Sequence, residues 1–150
     1  MSSLLERTPR TVGIVGSAGA YGRWLTRFFE QHMQVRVIGH DPADPGSHAP
    51  EQLLEQADVL VFSAPIRHTS TLIAEYARLS AGREQERLWL DVTSVKEAPV
   101  QAMLASCAEV VGLHPMTAPP KAPTLKGRVM VVCEARLQHW RPWVDALCLA

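Results

Sequence analysis

The sequence predicts an α/β domain: Rossmann-like, doubly wound, a mostly parallel sheet inside three α/β/α layers. Three observations carry this. Six short runs rich in Val, Ile and Leu alternate with stretches of helical period. Those runs are apolar at nearly every position, as strands covered on both faces are, and a glycine-rich turn follows the first of them.

Taken in order, TVGIV (11–15) reads as a strand, YGRWLTRFFEQ (21–31) as a helix and VRVIG (35–39) as the second strand. The proline-rich stretch DPADPGSHAP (41–50) reads as a surface loop. VLVFSA (59–64) is the third strand, followed by a helix near 69–79, with Thr69 or Ser70 available as its N-cap. LWLDV (88–92), a helix near 99–106, and EVVGL (109–113) come next. A second proline-rich loop, TAPPKAP (117–123), leads to VMVVC (129–133) and a last helix from about residue 137. Residues 1–10 are expected to be a short extension, and residues 11–150 one domain.

Composition excludes several functions. Fifteen basic residues balance fifteen acidic ones, so no bulk charge draws the chain to nucleic acid or an acidic membrane. Cys107, Cys133 and Cys148 form no CxxC pair and no zinc-finger spacing, so buried free thiols and no metal are expected. No apolar run approaches the roughly 18–20 residues of a membrane span, and the first ten residues lack the apolar core of a signal peptide. A soluble, cytoplasmic protein is the expectation.

In a doubly wound sheet, ligands bind beyond the carboxyl ends of the strands. After strand one comes Gly16-Ser17-Ala18-Gly19-Ala20-Tyr21-Gly22, then a helix: a turn whose backbone can approach a pyrophosphate, with free N–H groups and a positive dipole end behind it. After strand two comes Asp41, whose carboxylate can accept from ribose hydroxyls and repel a 2′-phosphate. No arginine follows it directly, so NAD is expected over NADP. Asp41 also reads as the start of an Asp-Pro turn. Ser63-Ala64-Pro65 leave room for flat cofactor groups at the third exit, and Thr93-Ser94-Val95-Lys96 bring hydroxyls and an ammonium to the fourth. His114 directly ends the fifth strand and is locked by Pro115. His68 lies near the mouth, while His32, His40, His48 and His139 read as surface groups.

In this order GIVGSAGAYGR, GHDP, ADVLVFSAPI, LDVTSVK and GLHPM resemble the NAD-binding domain of prephenate dehydrogenases, particularly the form fused to chorismate mutase. The resemblance runs from about residue 11 to 149. It implies that His114 contacts the ring hydroxyl of prephenate and that Ser94 supports both. It implies that the glycine loop holds the pyrophosphate and Asp41 the ribose, with Lys96 and Met116 as weaker substrate contacts. The reaction implied is oxidative decarboxylation of prephenate to 4-hydroxyphenylpyruvate with NAD, in tyrosine biosynthesis.

The family's helical second domain, which brings cations for the substrate carboxylates and makes a homodimer, is expected to be absent from this chain, as is any mutase segment. On its own the chain is expected to bind cofactor and be inactive. After HPM the chain has Thr117-Ala118-Pro119-Pro120-Lys121 where many members have a glycine, a threonine and a glutamate. Arogenate dehydrogenase, another two-domain dehydrogenase of β-hydroxyacid or imine type, and a non-catalytic NAD-sensing or partner-binding module are the other readings. Trp140, Trp143, Val144 and Leu147 are expected to lie exposed where a second domain would dock.

Overall fold

In the computed structural model, residues 9–93, 97–115 and 129–149 are described, apart from the side chains of Ile66 and Glu97. Thr11–Val15 (β1) leads through the glycine turn into Ala20–Arg27 (α1). A π-helical turn, Phe28–His32, continues α1, with Met33 N–H donating to Phe28 C=O at 3.1 Å. It buries two successive aromatics: Phe28 stacks on Trp24 and Phe29 on Trp143.

Arg36–His40 (β2), Pro50–Gln56 (α2), Val59–Phe62 (β3) and Ile66–Ser80 (α3) follow, then Leu88–Asp91 (β4) and Glu97–Leu104 (α4). Glu109–Pro115 (β5), Met130–Arg136 (β6) and Arg141–Leu149 (α5) complete the described elements. The sheet order is β2-β1-β3-β4-β5-β6. β1 to β5 pair in parallel, while β6 runs antiparallel to β5. The order reverses between β1 and β3, which is the switch point where such sheets open a crevice.

Two apolar layers cover the sheet, and the strands alternate between them. Val12, Ile14, Val61, Leu90 and Leu113 face α1, the π turn and α5. Ile38, Leu60, Phe62, Trp89 and Val110 face α2, α3 and α4.

Several expectations are corrected here. α2 was not expected, although Pro50 at its first position and Gln52 reaching back to the Ala49 N–H are start signals inside a stretch dominated by prolines. Trp140, Trp143 and Val144 are buried rather than exposed, because Glu109 at the start of β5 accepts the N–H groups of Gln138, His139 and Trp140 and pins α5 to the sheet. Leu147 packs partly buried against the same layer. Among the described residues the large apolar side chains that lie exposed are instead Val129, Val131, Val132 and Leu149. Cys107 and Cys148 are exposed and Cys133 half-buried, so the expected burial of the thiols does not hold.

Candidate functional site at the carboxyl ends of the strands

The glycine turn is shaped by two close approaches. Gly16 has φ +92°, and a Cβ there would lie 2.8 Å from the Ser63 carbonyl oxygen, so the chain can only pass between the exits of β1 and β3 without a side chain. At Gly22 a Cβ would lie 2.1 Å from the Gly16 oxygen, which is why α1 can pack down onto the turn. Gly19 caps α1 in an extended conformation and no side chain bonds to the helix's first N–H groups. Ser17 and Ala18 are half-buried, Gly19 and Ala20 exposed. An open turn leading into the N-terminus of α1, closed to side chains beneath, fits a dinucleotide pyrophosphate. Tyr21 packs edge-on to Trp24, and burial raises its phenol above the ordinary value, so it remains a hydrogen-bond donor.

Asp41 follows β2 directly. Its Oδ2 accepts the Ala18 N–H and its Oδ1 the Ala43 N–H, each at 2.9 Å. The turn-starting role and the role beside the glycine loop therefore coexist in one side chain. Each carboxylate oxygen has a second lone pair left for a ribose hydroxyl. Gly16 N–H donates to the His40 carbonyl at 2.9 Å, which ties the same two exits together. His40 is half-buried, with Nδ1 2.8 Å from the His48 carbonyl oxygen; His48 and His139 are also half-buried and His32 is exposed.

A cleft of about 420 Å³ adjoins this corner, lined by Ser17, Arg23, Arg27, Gly39, Ser47 and His48 among others. The two arginines come from α1, so searching only after Asp41 for a cation could not find them. Neither guanidinium has a hydrogen bond or ion pair among the described residues.

At the third exit Ser63 N–H donates to the Val15 carbonyl at 2.8 Å. Ser63 and Ala64 are half-buried and Pro65 is exposed. α3 begins at Ile66, earlier than expected, and Thr69 is no N-cap: fully buried, it donates its hydroxyl back to the Ala64 and Pro65 carbonyls at 3.1 and 3.0 Å. His68 is an exposed residue of the first turn of α3.

At the fourth exit Thr93 is buried and bonded to Asp91, a fully buried carboxylate that the expectations omitted. Its signal was present: one acid closing an otherwise apolar strand, LWLD. His114 sits half-buried near the end of β5, paired with Val131 of β6. Asp91 pairs with Gly112, two residues before His114, so carboxylate and imidazole leave neighbouring strands on one face of the sheet. Ser94, Lys96 and Met116, as well as the second proline-rich loop, lie outside the described residues. Among the described residues no helix is long and apolar enough to cross a membrane.

Comparison with known proteins places these features in context. Residues 28–140 match the family model described as prephenate dehydrogenase, nucleotide-binding domain, a range that includes Asp41, Asp91, Ser94 and His114. The T-protein of Enterobacter agglomerans is 33% identical over 136 residues, covering 89% of this chain and 34% of that relative. The chain spans about a third of the length of the curated relatives it matches. Prephenate dehydrogenase from Aquifex aeolicus superposes with a TM-score of 0.69 at 16% identity, over 91% of this chain and 56% of that one. Pyrroline carboxylate reductase from Plasmodium falciparum, solved with NADP bound, gives 0.70 at 12% identity, over 93% and 54%. At those identities the likeness is one of fold.

Proposed function

Because the chain belongs to the prephenate dehydrogenase family through its nucleotide-binding domain, we propose that it is the cofactor-holding part of an enzyme that oxidises and decarboxylates prephenate with NAD. The observation that carries the reading is the gathering, at one end of one sheet, of a bare glycine turn, the acid Asp41 and the strand-end His114.

In this reading the glycine turn and the N-terminal turn of α1 receive the pyrophosphate, and Asp41 receives the adenosine ribose. The Ser63–Pro65 exit lies beneath the middle of the dinucleotide. When bound, NAD supplies the acceptor for the hydride that leaves the hydroxyl-bearing ring carbon of the substrate. His114 accepts a hydrogen bond from that hydroxyl and stabilises the positive character that develops there, while the ring carboxylate leaves as CO₂ and the hydroxyl keeps its proton in the phenol product, with Ser94 steadying both. Aromatisation drives the step, so the chain's task is alignment.

Prephenate and arogenate differ in the side chain, far from the hydroxyl that His114 addresses, so arogenate is the second substrate to try. Two substrate carboxylates call for cations, ideally arginine, which in this reading come from a helical second domain that also makes a homodimer. The chain alone then binds cofactor without oxidising prephenate, and the setting is the cytoplasm. The test is NADH formation from prephenate or arogenate by the chain extended with a substrate domain. Oxidation of neither overturns the reading, and steady turnover by the 150 residues alone removes the need for outside cations.

A further inference from the structure

The exit of β4 holds a charge that neither the glycine turn nor His114 explains. Asp91 is 0% exposed at the end of the strand. Its Oδ2 accepts the Thr93 hydroxyl at 2.5 Å and the Thr93 N–H at 3.2 Å. Both of these groups donate, so the carboxylate oxygen is the acceptor that closes the turn. A buried carboxylate is costly, and a neutral threonine turn could be closed by a serine or asparagine at far lower cost.

Its position offers a use. Asp41 occupies the β2 side of the switch point and the glycine turn the centre, so the nicotinamide half of a dinucleotide runs over the exits of β3, β4 and β5. Asp91 is the last residue of β4, in register with Phe62 on one side and Gly112 on the other. Gly112 presents no side chain beside it, and His114 follows on the same face, with strand geometry putting its Cα about 8 Å from that of Asp91.

We propose that the Asp91 carboxylate favours the oxidised, positively charged nicotinamide ring over the neutral reduced one, and so helps set which redox form of the cofactor the domain holds. The inference rests on the nucleotide reading above. The adenosine and pyrophosphate are common to both forms, so a charge at this point acts on their difference alone. Asp91 is itself closed to water, so its field is weakly screened on the protein side.

The experiment is calorimetric titration of the chain and of Asp91→Asn with NAD⁺, NADH and ADP-ribose. The amide oxygen of the variant still accepts from Thr93, and ADP-ribose, lacking the ring, reports whether the rest of the site is intact. Expected is a loss of about tenfold in NAD⁺ affinity, with NADH and ADP-ribose within about threefold of the parent. Equal losses for all three make Asp91 a structural residue and overturn the inference, as does no change. The parent gives a reading free of folding effects: NADH bound more than about tenfold tighter than NAD⁺ also overturns it. Absence of binding by all three ligands removes the nucleotide reading itself, whereas binding with an unmoved ratio removes this inference only.

Discussion

The Asp41 carboxylate accepts the Ala18 backbone N–H at 2.9 Å, so the acid after β2 and the turn after β1 form one unit before any ligand arrives. Asp41 therefore acts twice, orienting the turn and offering its remaining lone pairs outward. Asp41→Asn keeps the size of the side chain and removes its charge. The expected result is a loss of about tenfold in NAD affinity together with a smaller gap between NAD and NADP, read by titration calorimetry. An unchanged gap would mean that the carboxylate does not select the cofactor.

Gly22 offers a sharper test of the turn itself. A methyl group there meets the Gly16 oxygen at 2.1 Å, and backbone on both sides leaves it nowhere to go. Gly22→Ala should cost about 1–3 kcal/mol in urea unfolding and abolish cofactor binding, because relief requires α1 to lift off the turn. A variant with parental stability and affinity would show that the close packing of α1 is dispensable.

Away from the site, Glu84 makes the fold acid-sensitive. Burial pushes its carboxyl up, but the Ser80 hydroxyl and the Cys107 N–H, the latter at 2.6 Å, outweigh that and hold it below the ordinary value. A carboxyl lowered by folding stabilises the folded state fully above its unfolded value of about 4.3, and the contribution fades as pH falls through the folded value. Glu84→Gln keeps the size of the side chain and removes the charge from both hydrogen bonds. It should cost about 1.5–3 kcal/mol at pH 7, and the gap to the parent should narrow from about pH 5 downward. A gap independent of pH would assign the loss to packing.

For chemistry, His114→Asn in the chain joined to a substrate domain should leave NAD affinity intact and lower turnover by about 10²–10⁴. Parental turnover would end the proposed role of the imidazole.

Much of this was legible in the residues, for physical reasons. The strands β1, β3 and β4 are apolar at nearly every position because both faces are covered, and that pattern survives without any alignment. Gly16 and Asp41 announced themselves by chemistry at strand ends. Less visible was what depends on long-range contact. The burial of Trp140 and Trp143 follows from Glu109 capping the turn before α5, a partner some thirty residues away in sequence. Arg23 and Arg27 stand some twenty residues before Ser47 and His48, and only the fold brings them to line one cleft. Asp91 hid inside a strand motif because periodicity registers polarity and says nothing of the Thr93 hydroxyl that closes on it.

Arg23 and Arg27 also make one measurement decisive. A carboxylate beside the ribose opposes a 2′-phosphate, while the Arg23 and Arg27 guanidiniums in the adjoining cleft, unpaired among the described residues, favour one. Titrating this chain with NAD and NADP under identical low-salt conditions sets the two against each other. If Asp41 governs the corner, NAD saturates the site at least about tenfold more tightly than NADP. Tighter NADP, or binding of neither, contradicts the account.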